Sequence, residues 1–264
     1  MLQLSHVYKT FNKGTVTEKR ALTDVNLTLN DGDFVTVIGG NGAGKSTLMN
    51  MIAGVYPIDR GTIELNGHDI SRLPEHKRAR YLGRVFQDPM RGTAADMMIE
   101  ENLALAKRRG EPRGLGWGVT RAEREEYRKQ LAGLDLGLET RLSSKVGLLS
   151  GGQRQALTLL MATIKRPQLL MLDEHTAALD PKTARKVLEL TQRIVEGEKL
   201  TTLMVTHNMN DAIRLGNRLI MMHEGHIIYD VRGDEKRALT VPDLLQKFEE
   251  VSGGELANDR MLLG

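Results

Sequence analysis

The sequence contains no cysteine among its 264 residues and no long apolar run. The absence of cysteine excludes disulfide bonds and cysteine-ligated zinc. The longest apolar stretches, such as Leu169–Leu172 and Leu219–Met222, are far shorter than the roughly 18 residues that a membrane-spanning helix requires. The first residues also lack the charged and then apolar pattern of a secretion signal. We therefore expect a chain without a membrane span that works in the cytosol.

Aromatic content and net charge are both low, at 4% and +3. Nucleic-acid-binding surfaces combine a basic stripe with interleaved aromatic residues. The sequence has no such segment, so it predicts no nucleic-acid partner. One local basic cluster is formed by Lys107–Arg109, with Arg113 beyond it. We interpret it as a solvated face of a helical region; attraction to acidic lipid headgroups beside a membrane-bound partner is the alternative.

A glycine-rich segment, Gly39–Thr47, contains the pattern G-x-x-x-x-G-K-[ST] and follows the apolar run Phe34–Ile38, which is typical of a buried strand. The glycines permit a tight turn with inward-facing N–H groups, and a helix starting near Lys45 adds its positive N-terminal end. Such a loop binds phosphate. Lys45 would reach the β- and γ-phosphates, and the Ser46 hydroxyl would ligate Mg²⁺. The residues predicted to hold the nucleotide here are Gly39, Gly40, Asn41, Gly42, Ala43, Gly44, Lys45, Ser46 and Thr47.

A second apolar run, Leu169–Leu172, ends in the carboxylates of Asp173 and Glu174. Strands that end in acidic residues are common in α/β proteins, so an ordinary strand end is an equally good interpretation of this segment alone. A phosphate loop in the same chain favours a functional interpretation of these carboxylates, because Mg²⁺·ATP needs a carboxylate ligand and a second acceptor that orients the attacking water. Asp173 fits the first role and Glu174 the second.

A third segment, Leu149–Gln153, reads Leu-Ser-Gly-Gly-Gln and lies between the other two. Ser150 and the two glycines predict a helix from Gln153 onward, whose N-terminus would form a second anion-binding site. One nucleotide rarely needs two such sites from one chain. Taken alone, the segment also fits a glycine loop before a helix.

In this order and combination the three segments resemble the ATP-binding subunits of ABC transporters, and the resemblance extends from about Leu2 to Asp230. It implies an α/β fold, with a RecA-like P-loop NTPase core, an N-terminal antiparallel β subdomain and an inserted α-helical subdomain. It also implies ATP and Mg²⁺ as cofactors and ATP hydrolysis as the activity. In that family the signature caps the γ-phosphate of an ATP held by the opposite subunit. The residues to which this role is carried over are Ser150, Gly151, Gly152 and Gln153.

Other segments match landmarks of the same family in the expected order. Val85–Gln87 resembles the Q-loop, which implies that Gln87 contacts Mg²⁺ or the attacking water; a surface glutamine is the alternative. Ala178–Asp180 resembles the D-loop, which crosses the dimer interface. His207 follows the apolar run Met204–Thr206 and resembles the switch-loop histidine, which implies a contact with the γ-phosphate. The predicted catalytic set consists of Glu174, Gln87 and His207.

Phe11, chosen over Tyr8, is the aromatic residue that the resemblance implies as the platform for adenine; an ordinary core aromatic is the alternative. The sequence also departs from the family pattern. Gly40 stands where proline is more usual, and His175–Ala177 replaces the common Pro-Thr-Ser. Because Gly40 removes no N–H group, we expect binding to survive. His175 is interpreted as a loop residue.

The chain is predicted to form one ABC ATP-binding domain, residues 1–264, with its core in about 1–87 and 161–240. The helical subdomain with the signature spans about 88–160, and a C-terminal helix and tail span about 241–264. Periodicity predicts helices at 47–54, 97–108, 121–134, 182–196, 211–215 and 241–251, strands at 62–67 and 201–206, and a loop at 110–118. A closing hairpin is predicted at 219–230, with Glu224 and Gly225 at its turn.

The resemblance implies that two ATP-binding subunits bind two Mg²⁺·ATP and drive separate transmembrane permease subunits, with the chain bound peripherally on the cytoplasmic side of the membrane. We expect the second subunit to be an identical copy; a different ATP-binding chain is the alternative. Free-standing ATP subunits are typical of importers. We therefore expect import of a small solute, of the amino-acid type, with a substrate-binding protein in the full system. Two alternatives stay open: a soluble ABC-type ATPase of iron–sulfur assembly, and a regulatory ATPase that acts without transport.

Overall fold

The computed structural model of the protein describes residues 1–112, 114 and 118–252. The residues outside this range include Arg113 and three others of the predicted loop 110–118. They also include the predicted tail beyond residue 252. The chain forms two compact units. The first comprises residues 1–78 and 199–252, and the second comprises the described residues between 79 and 198.

Strands and helices are numbered in chain order. The first unit contains β1 Leu2–Phe11, β2 Lys19–Leu29, β3 Phe34–Ile38, α1 Lys45–Ala53, β4 Arg60–Leu65, β5 His68–Asp69, α2 Glu75–Arg78, β8 Thr202–Val205, α7 Met209–Arg214, β9 Arg218–His223, β10 His226–Arg232, α8 Gly233–Arg237 and α9 Val241–Ser252. The second unit contains β6 Leu82–Val85, α3 Ile99–Lys107, α4 Arg121–Ala132, α5 Gly151–Thr163, β7 Leu169–Asp173 and α6 Pro181–Glu198.

An antiparallel sheet with the strand order β2-β1-β4-β5 forms the N-terminal part of the first unit. Successive side chains of a strand point to opposite faces of its sheet. In β1 this places Leu2 and Leu4 in the core, and a shift of the β1–β2 register between Leu4 and Val7 brings Val7 into the core as well; each of the three residues is 0–2% exposed. The predicted N-terminal antiparallel β subdomain is confirmed.

A second sheet of the first unit contains the strand that precedes the phosphate loop. β3 runs parallel to both β8 and β9, with Val37 opposite Val205 and Ile38 opposite Met221. Every residue of β3 is buried, as is typical of a parallel strand that is covered on both faces. β10 returns antiparallel to β9 from the predicted turn at Glu224 and Gly225. The carboxyl ends of β3 and β8 consequently lie side by side.

The second unit combines a parallel strand pair with helices. β6 pairs with β7, and α5 packs against β6 and α6. Thr120 and Ser150 cap α4 and α5, each in a capping box with the Glu123 or Gln153 side chain. These boxes satisfy N–H groups that the first turn of a helix leaves without partners.

The helices predicted from periodicity are all present, and each predicted end lies within two residues of the observed end. The helix after the signature begins at Gly151 rather than at Gln153, because Ser150 is its N-cap. Periodicity missed α2 and α8, which are too short to show an apolar repeat. Among the helices of the described residues, none combines the length and the apolar character that crossing a bilayer requires.

Candidate nucleotide-binding site

The phosphate loop joins β3 to α1, as predicted. Its backbone turns through three glycines with positive φ: 152° at Gly39, 80° at Gly42 and 102° at Gly44. A side-chain carbon at Gly39 would lie 2.2 Å from the carbonyl oxygen of Met222, and one at Gly44 would lie 2.7 Å from that of Ala21. Gly39 and Gly44 are therefore required both by backbone conformation and by the close approach of other backbone atoms.

Lys45 is the first residue of α1 and is only 8% exposed. Its Nζ donates hydrogen bonds to the carbonyl oxygens of Gly39, at 2.6 Å, and Gly40, at 3.0 Å. The ammonium group is thereby held at the N-terminal end of α1, where the helix dipole also favours anions. Ser46 is exposed and Thr47 is half-buried. Loop, ammonium group and helix end together form a site suited to phosphate.

His207 follows β8 and lies at the same edge of the sheet as the phosphate loop. The Thr206 N–H donates to the carbonyl oxygen of Val37 at 3.1 Å, which ties this segment to the strand that leads into the loop. The Thr206 hydroxyl accepts a hydrogen bond from the N–H of Asn208 at 3.1 Å. His207 itself is exposed. The structure therefore places the predicted switch histidine at the loop end of the sheet.

Phe11 ends β1 and is half-buried. Its ring meets Tyr56 edge to face, with the centroids 5.2 Å apart, and Lys9 Nζ lies 5.4 Å from its centroid. Lys19 is opposite Phe11 in the β1–β2 pair. A side-chain carbon at Gly42 would lie 3.5 Å from Lys19 Nζ. This approach brings the end of β1, and with it the predicted adenine platform, close to the phosphate loop.

In the second unit, the predicted acidic residues and Gln87 collect at one edge of the strand pair. Asp173 ends β7, and Gln87 lies two residues beyond the end of β6, which runs parallel to β7. An Asp173 carboxylate oxygen lies 3.5 Å from Arg84 Nη2. Gln87 is exposed and Glu174 is half-buried. Asp173, Glu174 and Gln87 are thus neighbours, and they offer oxygen atoms that can hold a cation or a water molecule.

The turn after β7 starts with an unusual backbone conformation. Glu174 has a φ of 45°, in the left-handed region that non-glycine residues rarely adopt. Its carbonyl oxygen accepts a hydrogen bond from the Ala177 N–H at 3.0 Å. His175 lies in this turn, as predicted, but its side chain is buried, which the sequence analysis missed. Burial lowers the pKa of His175 to about 4, because low-polarity surroundings disfavour the charged imidazolium.

The signature residues form the start of α5. The Ser150 hydroxyl accepts the Gln153 N–H at 3.3 Å, and the Gln153 side chain accepts the Ser150 N–H at 3.2 Å. A side-chain carbon at Gly152 would lie 2.2 Å from Thr183 Cγ2 at the start of α6. The lack of a side chain at Gly152 therefore allows α6 to pack against the first turn of α5.

Two residues that follow the signature support the site and were missed by the sequence analysis. The Arg154 guanidinium donates to the carbonyl oxygens of Gly147, at 3.0 Å, and Leu149, at 3.1 Å. Gln155 is buried and donates from Nε2 to the carbonyl oxygen of Phe86 at 3.3 Å. Arg154 thus orders the chain that enters the signature, and Gln155 connects α5 to the residue before Gln87.

A buried strand, a glycine loop and a helix whose first lysine points into that loop define a P-loop nucleotide-binding protein. The family model described as "ABC transporter" matches residues 22–177, which contain the phosphate loop, the signature and the acidic strand. The chain belongs to the ABC transporter family, in which it is an ATP-binding subunit and an ATPase.

Similar proteins and solved structures agree with this membership. The chain is 44% identical, over 94% of its length, to "Tyrosine transport ATP-binding protein" of Clostridioides difficile, and it spans 99% of that protein. It is 34% identical, over 86% of its length, to "Methionine import ATP-binding protein MetN 2" of Enterococcus faecalis, and it spans 64% of that longer protein.

Among solved structures, the dimeric ATP-binding cassette MJ0796, in a post-hydrolysis state bound to ADP and Pi, is 29% identical to the chain. The TM-score is 0.74, and the match covers 88% of this chain and 98% of that one. The predicted family, the predicted fold class and the predicted ATPase activity are confirmed.

Proposed function

We propose that the chain supplies the energy for import of an amino acid or a similar small solute. The observation that carries this proposal is its similarity to a tyrosine transport ATP-binding protein over nearly the whole of both chains. The similarity to a methionine import ATP-binding protein supports the same substrate class. We also propose that the chain is divided as predicted, into a core of about 1–87 and 161–240 and a helical subdomain of about 88–160.

In the proposed mechanism, Lys45 and the N–H groups of the phosphate loop bind the phosphates of ATP, and Phe11 stacks on adenine. The first turn of α5, with Ser150 as its N-cap, caps the γ-phosphate of an ATP held by a second copy of the chain. Helix N-termini stabilise anions at both positions. The nucleotide therefore joins two copies and is bound by both.

Mg²⁺ is proposed to accompany ATP, held by the Ser46 hydroxyl, the Gln87 carboxamide and the Asp173 carboxylate. This donor set consists of hard oxygens, and it contains one carboxylate, which fits a Mg²⁺ that is also bound by substrate phosphates. Among the described residues there is no cluster of three or more His, Asp or Glu side chains that could hold a metal by itself. When bound, the cation neutralises charge on the phosphates.

Glu174 is proposed to accept a hydrogen bond from the attacking water and orient it toward the γ-phosphate. Gln87 and His207 complete the set, His207 by contacting the γ-phosphate. Closure of two copies around ATP and their reopening after hydrolysis would favour different conformations of separate permease subunits. We propose that the chain binds these subunits peripherally at the cytoplasmic face of the membrane, together with a substrate-binding protein in the complete system.

The test is purification of the tagged chain from detergent-solubilised native membranes. We expect a protein with several membrane spans to copurify, ATP turnover to rise in the reconstituted complex, and amino-acid uptake into vesicles to depend on ATP. Copurification of soluble partners alone would contradict transport and favour the assembly ATPase. A membrane partner with stimulated turnover but no solute movement would favour the regulatory ATPase.

A further inference from the structure

His175 and Thr191 form a buried pair directly behind Glu174. They are 1% and 0% exposed, and the imidazole Nε2 of His175 lies 3.0 Å from the Thr191 hydroxyl. Thr191 belongs to α6, which has 18 residues and buries its apolar face. The residue that follows Glu174 is therefore fastened to a long and well-packed helix.

The directions of the hydrogen bonds in this pair follow from their chemistry. The Thr191 hydroxyl donates its single proton to the carbonyl oxygen of Val187, at 2.8 Å, one turn earlier in α6. It can then only accept from His175, so the imidazole carries its proton on Nε2. Among the described residues His175 Nδ1 is buried and has no hydrogen-bond partner. A buried, unsatisfied acceptor destabilises a fold, so the gain in stability from this nitrogen does not explain why a histidine is buried here.

The neighbouring backbone indicates a role for this histidine. Glu174 has a left-handed φ of 45°, and residues in sparsely populated conformations persist only where the surrounding structure determines them. The imidazole of His175, which is bound to Thr191 and buried, is attached directly to the peptide that joins the two residues. We propose that the pair of His175 and Thr191 is a positioning device that holds Glu174 in the conformation that orients the attacking water. This inference rests on the proposed catalytic role of Glu174.

Thr191→Val tests the device because it removes the hydroxyl and keeps the shape of the side chain. We expect the kcat of the full chain for ATP hydrolysis to fall about tenfold, since small displacements of a catalytic group lower rates by such factors. The dissociation constant for ATP, measured by equilibrium binding, should change by less than about twofold, because the hydroxyl that is removed bonds to His175 and Val187, neither of which is a predicted ATP ligand. Thr191→Ser keeps the hydroxyl and should keep the activity.

Thr163→Val in α5 is the matched control. Thr163 is also buried, and its hydroxyl also donates to a carbonyl oxygen one turn earlier, that of Leu159 at 2.9 Å. Thr163→Val should lower stability, although less than Thr191→Val, which also leaves the His175 Nε2–H without an acceptor, and it should leave kcat unchanged. The proposal is overturned if Thr191→Val leaves kcat unchanged. It is also overturned if Thr163→Val lowers kcat equally, or if the loss comes with an equal loss of ATP affinity.

If Thr191→Val does not fold, substitutions of His175 provide a second test. They change no residue of α6. His175→Gln keeps an N–H donor near the Nε2 position and should retain most of the turnover, whereas His175→Leu should lose about as much as Thr191→Val. Equal turnover of the two variants would show that the hydrogen bond to Thr191 does not matter.

Glu174→Gln separates failure of this inference from failure of the proposed function. If Glu174 orients the water, Glu174→Gln reduces turnover to a small residual rate and retains ATP binding, and adding Thr191→Val lowers that residual rate no further. Rapid turnover by Glu174→Gln refutes the catalytic role itself. An inactive Glu174→Gln beside a fully active Thr191→Val refutes the positioning role alone.

Discussion

Gly39→Ala is expected to destabilise the protein much more than Gly67→Ala, although each substitution adds one methyl group at a residue with positive φ. Gly39 has a φ of 152°, and its new methyl carbon would lie 2.2 Å from the carbonyl oxygen of Met222 in β9. Gly67 has a φ of 76° in the turn between β4 and β5, and no atom lies within 4 Å of the equivalent position. The pair therefore isolates the effect of close backbone approach.

The expected magnitudes follow from two contributions. An alanine forced into a left-handed conformation costs about 1–2 kcal/mol, and this applies at Gly67. At Gly39 the loop must also move, because β9 is held in the sheet between β3 and β10; this movement resembles overpacking of a core and adds about 1–3 kcal/mol. We therefore expect a loss in the free energy of unfolding of about 2–5 kcal/mol for Gly39→Ala and about 1–2 kcal/mol for Gly67→Ala.

Equilibrium unfolding in urea measures both losses, and calorimetric titration with ATP measures binding by the folded variants. Gly39→Ala should also weaken ATP binding, because the loop can accommodate the methyl group only by displacing its N–H groups. Gly67→Ala should bind ATP like the unchanged protein. Equal destabilisation by the two substitutions, or full ATP affinity in Gly39→Ala, would show that the described loop geometry is wrong.

Three further substitutions test other parts of the account. Lys45→Met should weaken ATP binding about ten- to a hundredfold by calorimetry, because a hydrogen bond to a charged group contributes about 1.5–3 kcal/mol. Arg154→Met should lower the free energy of unfolding in urea by about 1–2 kcal/mol, because it removes the bonds to the carbonyl groups before the signature. Lys236→Met should change how stability depends on pH. Burial lowers the pKa of Lys236 from 10.5 to about 8, so between these values the unfolded chain binds more protons than the folded one. The unchanged protein should therefore gain up to about 3 kcal/mol relative to the variant as the pH rises through that window.

Each of these substitutions has a contradicting result, and the first two have a control variant. Lys13→Met, on an exposed turn, should leave ATP affinity unchanged, and equal effects at both lysines would contradict a direct phosphate contact. Arg128 makes an exposed ion pair with Glu125, so Arg128→Met should cost well under 1 kcal/mol. A similar cost for Arg154→Met would contradict its role. For Lys236, parallel stability curves of the two proteins from pH 8 to 10.5 would exclude the lowered pKa.

The phosphate loop, the acidic strand and the helix boundaries could be predicted because their signals are local. A loop that wraps phosphate needs glycines at fixed spacing, and the burial of β3 appears directly in its apolar run. The start of α5 was predicted two residues late because the glycines after Ser150 are weak helix formers. The capping box with Gln153 outweighs that preference.

Two of the contacts that the sequence analysis missed join residues far apart in the chain. His175 and Thr191 are 16 residues apart, and Gln155 and Phe86 are 69 apart. No periodicity or motif marks such a pair, since a buried polar side chain is indistinguishable in sequence from an exposed one. The requirement for glycine at Gly39 was predicted from the turn, but the approach of the Met222 carbonyl oxygen depends on how β9 pairs with β3 and is visible only in the fold.

The most direct test of the central claim, that this chain hydrolyses ATP between two copies, is size-exclusion chromatography of Glu174→Gln with light scattering. With ATP and Mg²⁺ the variant should elute with the mass of two chains, and adding Ser150→Arg should return it to the mass of one chain because the signature can no longer cap the nucleotide. The ATP turnover of Glu174→Gln should be negligible. A variant that stays a single chain with ATP bound, or that still hydrolyses ATP rapidly, would contradict the account.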